Sequence, residues 1–192
     1  MMIKAILLAA GQSTRFKGKN KLLKKFKNKP LIHHSLNSIK KSKVNKIVVV
    51  LGFQKKSVKK MIKNNKKILY VINKNFKTGM TSSIKVGLKK INKKDKGFII
   101  LQSDMPFIKT SDINKIYNSI KNTKYLVHAL KHKGRIGNPL GFDISVLEKF
   151  KKIKGNIGAK YIVKRLKRNT NFIKVSSSKV FKDFDKISDF RI

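Results

Sequence analysis

Cysteine is absent from all 192 residues, which excludes disulfides, thiolate zinc sites and a cysteine nucleophile. No apolar run approaches the ~20 residues of a membrane span. The N-terminal run Ala5 to Ala10 is at the short end for a secretion signal and makes a sensible strand. The expectation is a soluble cytoplasmic protein with no membrane partner. No repeat and no linker interrupts the chain, so residues 1–192 are expected to form one domain. Acids are the scarcest charge: 8 against 49 basic residues, for a net charge of +41. That balance raises the question of nucleic acid. Arginine, which base-reading surfaces favour, is confined to Arg15, Arg135, Arg165, Arg168 and Arg191. Aromatics are not interleaved with the cations, as single-strand binders require. The lysines are spread from Lys4 to Lys186 without a block, so they read as solvated faces rather than a specific nucleic-acid surface. Any metal site must draw on Asp95, Asp104, Asp112, Asp143, Glu148, Asp183, Asp185 and Asp189.

What is present begins with an alternation. Ile3 to Ala10, Lys46 to Gly52, Ile68 to Ile72 and Phe98 to Leu101 are short apolar, β-branched runs that predict buried strands. Between them, Leu31 to Lys41 and the apolar positions around Val58, Ile84 and Ile113 have helical spacing. Thr81 or Ser82 is the expected cap of the third helix and Thr110 of the fourth. Beyond residue 124 the order is less regular. Tyr125 to Leu130 and Pro139 to Phe142 read as strands joined by Gly134-Arg135-Ile136-Gly137. Short helices follow at Ser145 to Phe150 and Ala159 to Leu166, then a late strand at Phe172 to Val175. The expected fold is α/β: a Rossmann-like three-layer sandwich, its sheet mostly parallel with an antiparallel extension in the second half. Ligands in such sheets sit beyond the carboxyl ends of the strands, which puts the loops after the first and fourth strands on one edge.

The first of those loops is the most informative stretch. Leu8-Ala9-Ala10-Gly11-Gln12-Ser13-Thr14-Arg15 runs from a buried strand into small and polar residues, and Arg15 and Lys21 are the first cations beyond it. Open backbone amides and positive charge make a cradle for a phosphate chain. Phe16 and Ser13 stand where the two commonest phosphate loops require glycine, so it is neither of those. Asp104, in Leu101-Gln102-Ser103-Asp104-Met105-Pro106, follows the fourth strand and faces the same edge, where a carboxylate can share Mg²⁺ with substrate phosphates. Asp183-Phe184-Asp185 offers two more carboxylates, on one side of the chain if it is extended. Asn73 to Ile84 is a Gly/Thr/Ser turn opening a helix. Its Gly79 and Ser82 could read a base edge, cap the helix, or both.

L-A-A-G-x-S-x-R followed by K-L-L resembles the signature of the nucleotidyltransferases of the molybdenum-cofactor group, in particular its cytidylyltransferases. The D-M-P segment at Asp104, the G-M-x-S-S segment at Gly79, Gly134 to Pro139, Gly155 to Lys160 and Asp183 to Asp185 resemble later motifs in the same order. Asn138 stands where that group has histidine, Asn156 where it has an acid and Lys160 where it has arginine. The resemblance implies that Leu8, Ala9, Ala10, Gly11, Arg15, Lys21, Gly79 and Ser82 bind the nucleotide. It also implies that Asp104 and Asp185 hold Mg²⁺, and that Asn138 and Pro139 meet the acceptor. Arg15, Lys21 and Asp104 would carry the catalysis. Ala10, where relatives using GTP have glycine, favours CTP. The implied acceptor is the molybdopterin form of the molybdenum cofactor, with a molybdenum hydroxylase or its maturation factor as a further partner. A sugar-phosphate or polyol-phosphate acceptor on the same fold is the nearer alternative, and a basic nucleic-acid-binding protein without catalysis the more distant one.

Overall fold

The computed structural model describes residues 1–192 except 63, 64, 154 and 192. Its sheet has seven strands. In chain order these are β1 (Ile3–Ala9), β4 (Lys46–Leu51), β5 (Ile68–Ile72), β6 (Gly97–Gln102), β7 (Val127–His132), β8 (Arg135–Asp143) and β9 (Thr170–Lys174); the short strands β2 (Lys25–Phe26) and β3 (Lys29–Pro30) form a separate hairpin. The spatial order is β5-β4-β1-β6-β8-β7-β9, and β8 alone runs against the rest. The helices are α1 (Leu31–Lys40), α2 (Lys55–Met61), α3 (Met80–Leu88), α4 (Thr110–Asn122), α5 (Leu147–Lys151) and α6 (Lys160–Arg165).

The alternating side chains of β1 explain why its sequence shows no polar face. Ile3, Ala5, Leu7 and Ala9 enter a core shared with α1, α2 and α4, while Ile6 and Leu8 enter a second core with α3, α5 and α6. A strand covered on both sides reads as a nearly continuous apolar run, and the one charged residue within it, Lys4, is buried and paired with Asp95. β1 lies between β4 and β6, with Ala9 opposite Leu51 and Leu8 opposite Gln102. The loops leaving these strands therefore emerge side by side at one edge.

The expected α/β sandwich is the observed one, with local differences. The turn between β7 and β8 is Lys133-Gly134, both with positive φ (43° and 80°), rather than Gly134 to Gly137. A two-residue hairpin turn of that type matches the strand twist, so Arg135 to Gly137 belong to β8. The β7–β8 register slips between Ala129 and Leu130, leaving Asn138 and Pro139 unpaired with β7; proline has no N–H to give the ladder. Thr110 is the first residue of α4 and not its cap: its hydroxyl donates to the Ser38 carbonyl, while Asp112 accepts the Lys109 N–H at 3.0 Å. Thr81 and Ser82 likewise lie inside α3, behind Gly79. The hairpin β2–β3 was not foreseen. Its lysines are exposed, but Phe26 between them is buried against Phe184.

His128 on β7 is 0% exposed, and its Nδ1 lies 2.7 Å from Ser119 Oγ, which accepts from Asn171 Nδ2 at 2.8 Å. Burial pushes its pKa from 6.5 down to about 4, against the pull of Asp143 and the Tyr125 backbone and with Lys96 adding to the fall. The unfolded chain binds a proton there that the folded one refuses. The neutral ring's contribution is therefore complete above pH 6.5 and is lost as the pH falls toward about 4. Across that window the loss is expected to reach roughly 3 kcal/mol. Urea unfolding followed from pH 7 to pH ~4 checks this. His128→Gln should show a clearly shallower decline, and equal slopes for the two proteins would refute the assignment.

Candidate functional site

Past β1 the chain leaves the sheet at Ala10-Gly11 and turns through Ser13, whose φ and ψ of 53° and 39° are left-handed. Phe16 is buried and packs edge-on against Phe190 at 5.8 Å, anchoring the loop's far side. Ser13 Oγ accepts the Lys21 N–H at 3.1 Å and so folds the loop back on itself. Asn20 caps the short turn Lys21–Leu23 by accepting the Leu22 N–H at 3.0 Å, and its amide donates to the Phe53 carbonyl. Gly52 supports the loop from below, because a Cβ there would run into Ala10. Gly11 differs: a Cβ on it would meet nothing within 4 Å. The free fold does not demand glycine at that point, and the open space belongs to the cleft.

That cleft, about 450 Å³ in volume, is lined on this side by Leu8, Ala10, Gly11 to Phe16 and Lys21. Opposite stand the carboxylates. Ser103 pins the end of β6 to β1 by giving both its N–H and its hydroxyl to the Leu8 carbonyl (3.1 and 2.7 Å), and Asp104 follows. The Phe184 N–H donates to the Asp104 carbonyl at 3.0 Å, stapling the late segment to this one. Phe184 itself is fully buried, with Phe26 at 4.8 Å, Phe190 at 5.1 Å and Phe107 at 5.8 Å. Because that side chain is driven into the core, its neighbours Asp183 and Asp185 both turn to the cleft.

Lys21 Nζ stands between two of these acids, 2.6 Å from Asp104 Oδ2 and 2.7 Å from Asp185 Oδ1. Arg15 lies on the outer side of Asp185, at 3.4 Å. Burial alone would lower the Lys21 pKa, but the two carboxylates outweigh it and hold the ammonium charged. Burial pushes the Asp104 carboxyl upward; Lys21 opposes this, and Asp183 and Asp185 add to it. Asp185, less deeply placed, is held low by Lys21 and then Arg15 in spite of its own desolvation.

The other five acids have structural work. Asp95 pairs with Lys4, Asp112 caps α4, Asp143 accepts from Ser145, Glu148 pairs with Lys151, and Asp189 accepts the Asp185 and Lys186 N–H groups. The three that remain line the cleft.

The third wall is the start of α3. Gly79 has φ +105°, and a Cβ there would collide with the Asn156 side chain. Asn156 Oδ1 accepts the Met80 N–H at 2.7 Å, and Thr81 Oγ1 accepts the N–H groups of Ile157 and Gly158, so residues 155–158 are tied across the top of α3. Asn156 thus keeps the acceptor role an acid would have there. The amide's place in the cleft was not legible from the chain, nor was that of Ser83 or Gln102.

Two of the residues expected to bind the nucleotide are not in the lining. Ala9 faces the opposite core. The Ser82 hydroxyl donates to the Asn75 and Gly79 carbonyls and accepts from Asn73; Ser83 lines the cleft in its stead. Asn138 lies in an adjoining cavity of about 180 Å³ with Arg135, Lys160 and Asp183, whereas Pro139 is buried outside it.

The donor set suits a hard divalent cation. Asp104 Oδ1 is buried and has no hydrogen-bond partner among the described residues. No group of three or more His, Cys, Asp or Glu side chains placed to hold a metal ion by themselves is found among those residues. One or two carboxylates with substrate phosphates completing the shell is the usual arrangement for Mg²⁺.

The profile of the MobA-like NTP transferase domain matches residues 5–170. The bifunctional protein GlmU of Clostridioides difficile is 31% identical over 150 residues, which are 78% of this chain and 31% of that one. The chain spans about a third of the length of the curated relatives it matches. Among solved structures, Rv0371c of Mycobacterium tuberculosis aligns over all of this chain and 96% of its own with a TM-score of 0.87 at 18% identity, and it has also been solved as a manganese complex. The 4-diphosphocytidyl-2C-methyl-D-erythritol synthase of Anaerococcus prevotii aligns over 99% of this chain and 93% of its own, with a TM-score of 0.75 at 17% identity. These two share the fold. With its profile match running from β1 to the start of β9, the chain belongs to the family of MobA-like NTP transferase domains.

Proposed function

We propose that the protein is a nucleotidyltransferase, moving the nucleotidyl group of an NTP onto a phosphorylated small-molecule acceptor with release of pyrophosphate. The observation that carries this reading is the meeting of Asp104, Asp183 and Asp185 with Lys21 and Arg15 at the mouth of the Gly11 loop, in a chain with only 8 acids. In this reading Arg15 and Lys21 neutralise charge on the departing pyrophosphate, and the loop from Gly11 to Thr14 orients the phosphate chain. Asp104 and Asp185 are the residues that would hold a divalent cation, Mg²⁺ first, which supplies charge compensation to the phosphates when bound. Catalysis is positioning and electrostatics, with no covalent enzyme intermediate. An attacking phosphate needs little help from a base, which agrees with Asn138 in place of histidine beside the adjoining cavity.

For the nucleotide, Ala10 and the motif resemblance support CTP, and for the acceptor they support molybdopterin. The fold shared with a diphosphocytidyl-methylerythritol synthase supports the polyol-phosphate alternative, still with a cytidyl group. A thermal-shift screen of CTP, GTP, UTP and ATP with Mg²⁺ tests the base, since stabilisation follows occupancy. CTP should raise Tm most. A clear purine preference would end the cytidylyl assignment, and pyrophosphate release from no nucleotide with any phosphorylated acceptor would end the transferase reading.

A further inference from the structure

The ammonium of Lys21 occupies the position in the cleft that a bound cation would be expected to take. It is within hydrogen-bond distance of one oxygen from each of Asp104 and Asp185, and its side chain is only 13% exposed. We infer that Lys21 is the resident counter-ion of these two carboxylates in the nucleotide-free protein, and that a divalent cation gains their oxygens only when phosphates draw the ammonium away. The inference rests on the reading that Asp104 and Asp185 hold the metal.

Charge counting supports it. Asp104, Asp183 and Asp185 bring three negative charges to the cleft, and Lys21 and Arg15 return two positive ones. A divalent ion added to that set overshoots neutrality, in a protein already at +41. A triphosphate reverses the sign of the problem, because its charge needs both the metal and the lysine. The lysine can serve both states. Its backbone is fixed by Ser13 and the Asn20 cap, while its four-carbon stem and rotatable ammonium can reach another acceptor. Among the charged residues lining the cleft, Lys21 is the cation that touches both acids; Arg15 touches only Asp185. Metal and nucleotide affinities are then linked, and the linkage is reciprocal.

The consequence runs against the simple expectation that loss of an active-site lysine weakens every ligand. Binding of Mn²⁺ alone, measured by electron paramagnetic resonance on the full chain without nucleotide, should be weak in the wild type. It should tighten about tenfold or more in Lys21→Gln, where a positive charge within a few ångströms is removed. Lys21→Arg, which keeps the charge, should stay weak, and Asp104→Asn added to Lys21→Gln should abolish the gain. If Lys21→Gln does not fold, Lys21→Met repeats the test. Unchanged or weaker Mn²⁺ binding in the neutral variant overturns the inference. So does an equal gain in Lys21→Arg, or a gain that survives Asp104→Asn. Pyrophosphate release by the wild type is measured separately, so failure of the transferase reading is distinguishable from failure of this one.

Discussion

Asp104→Asn is expected to lower turnover by about 10²–10³-fold, the range seen when a single transition-state contact is lost, and to leave the folded protein about as stable as the wild type. The side chain is 14% exposed, faces two further carboxylates, and has one oxygen with no partner among the described residues. Its charge is unfavourably placed for folding: burial pushes the carboxyl upward and Lys21 offsets only part of that. Asparagine keeps the shape and an oxygen for Lys21, and Lys21 keeps Asp185 at 2.7 Å. What asparagine cannot do is compensate a cation beside departing phosphate. Sites of clustered like charge are built at the expense of stability, so removing one member should cost little or add a few tenths of a kcal/mol. Steady-state pyrophosphate release and thermal melts on the same preparation check both halves. Asp112→Asn and Asp143→Asn serve as controls, since their carboxylates bind backbone N–H groups away from the cleft. A turnover loss in the controls equal to that in Asp104→Asn would remove the special role given to Asp104.

The parallel half of the fold was legible because its strands are buried on both faces. Ile47 to Leu51 and Ile6 to Leu8 can be nothing but interior, and helical spacing filled the gaps between them. The edge carrying the loops followed from topology alone. What escaped was whatever depends on a side chain's final direction. Nothing local distinguishes Ser82 from Ser83; only the rotation of α3, set by Ile84 and Leu88 entering the core, decides which hydroxyl meets the cleft. The bond from Asn156 to Met80 spans 76 positions, and the Lys21–Asp185 contact spans 164. Such pairs leave no trace in spacing. Asp183 and Asp185 were placed on one side by alternation, but their anchor is the phenylalanine cluster around Phe184, whose members come from three separate stretches of chain. Scarcity of acids was the stronger guide: it marked the carboxylates as worth following before any geometry was known.

The same scarcity singles out Asp95, at the opposite edge of the sheet, for the opposite outcome. Lys4 Nζ lies 2.8 Å from Asp95 Oδ2, with the two side chains 9% and 2% exposed. Lys4 also donates to the Lys90 carbonyl at 3.1 Å, and Asp95 accepts the Asn92 N–H at 2.7 Å. Lys4 is the second residue of the interior strand β1, opposite Lys46 on one side and Phe98 on the other, so it cannot leave for solvent without β1 moving. Asp95→Ala would strand that ammonium with a single carbonyl for company and leave the Asn92 N–H without its acceptor. Breaking a buried pair from one side costs about 3–5 kcal/mol, which for a domain of this size lowers Tm by roughly 10 °C. The cost belongs to the orphaned charge and not to any large net attraction in the pair. Lys4→Met combined with Asp95→Ala should therefore recover a good part of the loss. Turnover per folded molecule, measured well below the melt, should match the wild type, because the cleft lies at the other end of the strands. A single-variant cost under about 1 kcal/mol, the size of a surface pair, or a double variant no better than the single, would show that water reaches Lys4 and that the pair is not what holds the start of β1 in place.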